Sequence, residues 1–411
     1  MKSDLDSLMQ ANQLDAIWVM GSGQHNPAMV YLTGGGHLTN ADLIQPRGKT
    51  ATLFHAPMER DEAAKTGLTT CSYNQYPLNA LLKETGGDPF KAGVLRYQRM
   101  LNDAGITSGR VALYGKIEFG PNFDTLNALQ AAMPELELVG YQKRDVLSAA
   151  MMVKDEAEIE RIRQMGRITT QVVGQTADFL CGQAVKGDML VKPDGDPLTI
   201  ADVKSRINLW LAESGAENPE GTIFAIGRDA GVPHSSGSPG DVIHLGQTIV
   251  FDIFPCEQGG GYYYDFTRTW CLGYASDEAL SLYEHVKSVY QQVMNALKVD
   301  TLFRNYQQLT CKLFQELGHA TVLETPEIDQ GYVHSVGHGL GLKVHERPFC
   351  GTTALVEDLL VPGVVATIEP GLYYPERGMG VRLEDTVVVT ADGRFEIPAP
   401  YPLDLVLPVK Q

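Results

Sequence analysis

The chain has 411 residues, 44% hydrophobic and 20% charged, a globular composition with enough core for two or three domains. A net charge of −17 without a basic block argues against nucleic acid or an anionic membrane as partner. No apolar run approaches membrane-spanning length, and Asp4 and Asp6 interrupt the amino terminus where a signal peptide needs an apolar stretch.

Residues 1–152 alternate strand-like and helix-period segments. Short strands are expected at 15–20, 41–46, 50–56, 110–115 and 136–141, with helical stretches such as 121–133 between them. "ADLIQPRGKTATLF" reads as a hairpin, so an α/β domain on a mixed sheet is expected. After a break near 150–156, apolar residues recur at Ile159, Ile162, Met165, Ile168 and Val172 behind a cluster of acids, which predicts a long helix. From 153 to 411 glycine-bounded strands dominate, at 242–254, 261–272, 363–373 and 380–390, with helices near 276–297 and 301–318. This second domain is expected to be α+β. The six cysteines are widely spaced and form no CxxC pair, which fits reduced thiols and a cytoplasmic location.

Two β-ribbons carry unusual acids. In "TIVFDIFPCEQGGGYYYDFTRTW" a turn centred between Gln258 and Gly259 would set Asp252 directly opposite Asp265. In "VVATIEPGLYYPERGMGVRLEDTVVV" a turn centred between Glu376 and Arg377 would do the same for Glu369 and Glu384. Opposed carboxylates repel unless a cation or a shared proton intervenes, and an acid among Ile249, Val250, Phe251, Ile253 and Phe254 is costly if buried alone. One such pair is ordinary for a wet sheet face. Two in one domain favour a pair of divalent ions, whose four positive charges match four carboxylates. Oxygen-rich ligation suits manganese, while one imidazole leaves cobalt, iron or zinc open. His338, between Gly337 and Gly339 in "GYVHSVGHGLGLKVHERP", can supply that imidazole.

These residues resemble the creatinase/aminopeptidase P/prolidase metallopeptidases, and most of all their Xaa-Pro-specific members. The matching pieces are "VFDIFP", "YYYDFTRT", "VGHGLGLKVHE", "ATIEPGLY" and "GVRLEDT", in the family's order, with "MVYLTGG" and "MVKDEAEIERIR" matching further upstream. The resemblance implies a small creatinase-like α/β domain over 1–152 and a pita-bread catalytic domain over 153–411. It implies Asp252, Asp265, His338, Glu369 and Glu384 as ligands of two divalent ions, manganese first. The Asp252–Asp265 interval is two residues longer than the family's pattern, an even insertion that keeps both acids on one face. Glu369 is implied as proton shuttle, His234 and His345 as catalytic and substrate-binding groups, His334 as a further substrate-site histidine, and Arg382 as the brace of a ligand carboxylate. The implied substrate is a peptide with proline at its second position and the implied assembly a homodimer. Tyrosines and prolines around 373–375 are candidates for an apolar proline pocket. Dipeptidase and longer-peptide aminopeptidase both remain open, as do a hydrolase or lyase for a non-peptide molecule and a non-catalytic scaffold.

Overall fold

The computed structural model describes residues 4–142 and 144–410. It divides into two compact units, one running to Met151 and taking in Gly259–Gly261, the other holding Met152–Gln258 and the chain from Tyr262 onward.

The first unit is built on six strands: β1 (Ala16–Gly21), β2 (Ala41–Pro46), β3 (Thr52–His55), β4 (Thr69–Ser72), β5 (Gly109–Lys116) and β6 (Leu136–Val139). Their order is β4-β3-β2-β1-β5-β6. The β1–β2 and β2–β3 pairs are antiparallel, and β3–β4, β1–β5 and β5–β6 are parallel, so the sheet is mixed as expected. Helices α1 (Pro89–Asp103) and α2 (Phe119–Ala132) bury Ala92, Val94, Met100, Leu101 and Leu129 against Trp18, Ile44 and Val111 of the sheet. One acid lies within this core. Asp42 accepts from Trp18 Nε1 at 2.9 Å and from the Tyr73 hydroxyl at 2.7 Å, and burial pushes its carboxyl up to about 6.

The second unit opens with α3 (Glu156–Cys181), the long helix that the apolar spacing predicts. Asp155 and Glu158 close its amino end as a reciprocal capping box, which satisfies two backbone N–H groups. Its buried stripe includes Ile159, Ile162, Met165, Val172 and Leu180. A Cβ on Gly166 would stand 2.7 Å from the Tyr264 ring, so glycine there lets the helix sit directly on the strand that follows Tyr264.

Four strands, β7 (Thr222–Ile226), β8 (Thr248–Ile253), β9 (Phe266–Leu272) and, from the carboxyl terminus, β17 (Val406–Leu407), form one sheet in that order. The strands β10 (His338–Gly339), β11 (Glu346–Phe349), β12 (Val365–Ile368), β15 (Asp385–Val389) and β16 (Phe395–Glu396) form another, ordered β11-β10-β12-β15-β16. Between β12 and β15 the chain continues as the ribbon β13 (Gly371–Tyr374) and β14 (Met379–Arg382). Helices α5 (Asp277–Ala296) and α6 (Arg304–Glu316) contribute Val286, Val289, Val293, Tyr306 and Phe314 to one core with Ala366, Ile368, Val387 and Val389; α4 (Ile200–Glu213) lies earlier in the chain. Among the described residues, no helix is long and apolar enough to cross a membrane.

The two acid-bearing ribbons meet. Glu384 N–H donates to the Thr267 carbonyl at 3.0 Å, joining the end of the second ribbon to β9 of the first. In the second ribbon β12–β15 pairs Ile368 with Asp385 and β13–β14 pairs Gly371 with Arg382, so Glu369 and Glu384 occupy opposed positions in the gap between the ladders. The first ribbon differs from expectation. Asp252 pairs with Thr267, not with Asp265, because the turn centres on Gly259 and Gly260 rather than one residue earlier. Those two glycines have φ of 85° and 78°, and a tight hairpin of this kind needs positive φ at both central residues. The slip is two residues, so Asp252 and Asp265 keep one face of the ribbon and become diagonal neighbours.

Candidate metal centre

Asp265, His338 and Glu384 are buried, and one potential ligand atom from each lies within 4.8 Å of the others. The Gly337-His338-Gly339 backbone reaches this point because it has no side chains beside the histidine. A Cβ on Gly337 would stand 2.0 Å from the Thr367 carbonyl oxygen, and one on Gly339 would stand 2.1 Å from that of Arg347. Neither glycine has positive φ, so close approach, not an unusual turn, is what requires glycine here.

His338 Nδ1 lies 3.1 Å from the Gly339 carbonyl. That contact assigns the ring proton to Nδ1 and leaves Nε2 as a lone pair. Nε2 faces Asp265 Oδ2 at 3.6 Å and Glu369 Oε1 at 3.5 Å. Burial and the neighbouring His345 push the His338 imidazole down to about 3, so it is neutral at physiological pH. With the acids ionised, three acceptors face one another, a conflict that a bound cation or a retained proton relieves. The acids carry the same conflict. Burial, then the charges of their neighbours, raises Asp265 and Glu384 well above the usual carboxylate range, and burial raises Glu369 to about 8.

Arg382 supplies a single positive charge against four carboxylates. Its Nη2 donates to Asp252 Oδ2 at 2.6 Å, its Nη1 to the Tyr373 hydroxyl at 2.7 Å and to the Pro233 carbonyl at 3.2 Å. Asp252 Oδ1 is buried and has no hydrogen-bond partner. An orphaned carboxylate oxygen and an imidazole lone pair turned toward acids are what a site for a hard-to-borderline divalent cation presents before the ion is counted. The donor set fits the implied metal. The three-residue cluster is tighter than the expected five; Glu369 stands at its edge beside His338, and Asp252 lines the same cavity.

The cavity has a volume of about 1300 Å³, and Asp252, Asp265, His338, Glu369, Arg382 and Glu384 all line it. His234, His334 and His345 line it too, so every site residue that the sequence singled out faces one space. His345 packs beside His338 with ring centroids 4.2 Å apart and planes tilted by 60°, and burial lowers its affinity for a proton. His334 is committed on both ring nitrogens, with Nδ1 2.7 Å from the Ser335 carbonyl and Nε2 2.8 Å from the Tyr373 hydroxyl. The apolar pocket expected around 373–375 is elsewhere. Tyr373 is fully buried, its hydroxyl spent between Arg382 and His334, and Tyr374 packs on His319 and Arg377. Apolar walls come instead from Ile223, Phe254, Val322, Leu323, Val344 and Phe349. Thr267, which ties the acids together, was hidden in the sequence because Thr is an ordinary strand residue, and Tyr373 was singled out only as a pocket wall, not as the link between Arg382 and His334.

Acid ribbons crossing beside a histidine in a two-sheet α/β unit define the pita-bread class with a candidate divalent-metal centre. A sequence profile of metallopeptidase family M24 matches residues 160–391, and the chain belongs to that family. It is 26% identical over 387 residues to the Xaa-Pro dipeptidase of Pyrococcus horikoshii, covering 94% of this chain and 93% of that one. It is 29% identical over 253 residues to the probable dipeptidase PepE of Mycobacterium tuberculosis, a match spanning 62% of this chain and only 60% of PepE. Among solved structures it resembles the Xaa-Pro dipeptidase from Bacillus anthracis (TM-score 0.75, 20% identity, 98% of each chain). It also resembles the X-Pro aminopeptidase from Thermotoga maritima (TM-score 0.73, 24% identity, 98% of this chain and 100% of that one). At these identities the two structures speak for the fold alone.

Proposed function

We propose that the protein hydrolyses the peptide bond preceding proline and depends on two divalent ions, manganese first, held by Asp252, Asp265, His338, Glu369 and Glu384. The observation that carries this reading is the buried convergence of Asp265, His338 and Glu384, with Glu369 Oε1 3.5 Å from His338 Nε2. Family M24 membership and the Pyrococcus horikoshii Xaa-Pro dipeptidase support the peptide class. When bound, the ions supply Lewis-acid polarisation and an activated water.

The chain's own groups do the rest. Glu369 takes the water's proton on Oε1, the oxygen turned to the cluster, and returns it to the departing proline nitrogen, which as a tertiary amide has no proton of its own. His234 and His345, both facing the cavity, donate to the carbonyl oxygen as it gains charge. Arg382 holds Asp252 in place through its 2.6 Å hydrogen bond to Oδ2. His334, with both nitrogens engaged, shapes the wall. Six free cysteines accord with a cytoplasmic location, and the reading carries a homodimer with it.

The test is a length series. Chelator-stripped protein reloaded with manganese, cobalt or zinc is assayed on Xaa-Pro, Xaa-Pro-Xaa and proline-free controls, with Glu369→Gln alongside. Cleavage before proline that requires metal, and falls roughly 10²–10⁴-fold in Glu369→Gln, is expected. Hydrolysis of neither proline series by metal-loaded protein would overturn the peptidase reading, and normal turnover by Glu369→Gln would overturn the shuttle.

A further inference from the structure

We infer that the Thr267 hydroxyl is a positioning group for the metal centre: it fixes one oxygen of Glu384 and couples Glu384 to Asp252 through Arg382. This rests on the metal-centre reading above.

Thr267 is fully buried on β9, two residues from Asp265 and therefore on the same face. A hydroxyl has one proton to give and two lone pairs to offer. The proton goes to Glu384 Oε2 at 2.7 Å, a hydrogen bond to a carboxylate. A lone pair takes Arg382 Nε at 3.3 Å, and Arg382 Nη2 in turn holds Asp252 Oδ2 at 2.6 Å. The sequence of contacts Glu384–Thr267–Arg382–Asp252 thus runs from the acid of one ribbon to the acid of the other. One oxygen of each acid is tied down. On Asp252 the remaining oxygen, Oδ1, is buried without a partner.

The role is separable from the fold. The backbone stitch between the ribbons uses the Thr267 carbonyl, which accepts from Glu384 N–H at 3.0 Å and from Arg268 Nη1 at 2.9 Å. Arg268 Nη1 also donates to the Glu384 carbonyl at 2.8 Å and Nη2 to Asp385 Oδ1 at 3.0 Å. None of these bonds involves the Thr267 side chain. Thr267→Val keeps the branched shape of a strand residue but gives Glu384 Oε2 no donor and Arg382 Nε no acceptor.

The experiment titrates manganese into chelator-stripped full-length protein by calorimetry, with no peptide substrate present. Compared with wild type, Thr267→Val is expected to bind manganese about tenfold or more weakly, as removal of groups behind a metal ligand does. Thr267→Ser, which restores the hydroxyl but not the methyl, is expected to return to near wild-type affinity. If the valine protein does not fold, Thr267→Ala gives the same comparison with the serine variant. Unchanged affinity in the valine or alanine protein, or serine binding as weakly as valine, overturns the inference. A wild type that takes up no manganese overturns the metal-centre reading itself, whatever the variants do.

Discussion

An acid whose burial outweighs its neutral donors and the nearby Arg96 guanidinium shows what the cluster would face without metal. Asp42 in the first unit accepts from Trp18 and Tyr73 yet still sits at about 6, because neutral donors only partly replace water. Its folded value lies above the ordinary 3.8, so the native state holds a proton that the unfolded chain releases between about pH 4 and 6. The stabilisation is complete below the unfolded value and is lost as pH rises through the folded one. Over that window wild type is expected to lose up to about 3 kcal/mol relative to Asp42→Asn. Urea denaturation of the two proteins from pH 4 to 6.5 measures this; a constant difference would contradict it. In the metal centre the residue types were legible because ionised Asp and Glu have no business in apolar strands. The roles of Thr267 and Tyr373 were not, since their hydroxyls gain meaning only from partners more than thirty residues away or on another strand.

At the scale of elements, the sequence located both acid-bearing ribbons but set the register of only one. The "PERG" turn placed Glu369 opposite Glu384 correctly, whereas "CEQGGG" offered three consecutive glycines and so several centres for a tight turn. Positive φ at Gly259 and Gly260 decides among them in three dimensions. Because side chains alternate with a period of two, an error of two residues leaves the acids on the right face, which is why the site survived it. The strand pattern also ran β12 and β13 together as 363–373 and β14 and β15 as 380–390, missing the interruption at 369–370 and 383–384 that carries the two glutamates. The glycines beside His338 make a sharper claim. Gly337→Ala would drive a Cβ to 2.0 Å from the Thr367 carbonyl oxygen, a backbone atom that cannot swing aside. A loss of about 1–3 kcal/mol in chemical denaturation is expected, with weaker metal binding. An unchanged midpoint would show that the segment does not pack as closely as described.

For the molecule as a whole, composition excluded partners but did not point to chemistry. The sequence carries a net charge of −17, while the site rests on four carboxylates in one unit, Asp252, Asp265 and Glu384 buried and Glu369 half-buried. The mixed sheet of the first unit was legible from its strand pattern, although β4, only four residues long, was not singled out, nor was α1, whose apolar residues do recur at helical spacing. The family followed from the order of five short motifs, each bringing one side chain to the same cavity. The proposed function depends on those ribbons closing around cations. Anomalous diffraction from a manganese-loaded crystal tests this most directly. The account predicts two peaks about 3.5–4 Å apart, enclosed by Asp252, Asp265, His338, Glu369 and Glu384. No peak within that cluster, or manganese held only by other residues, would contradict it.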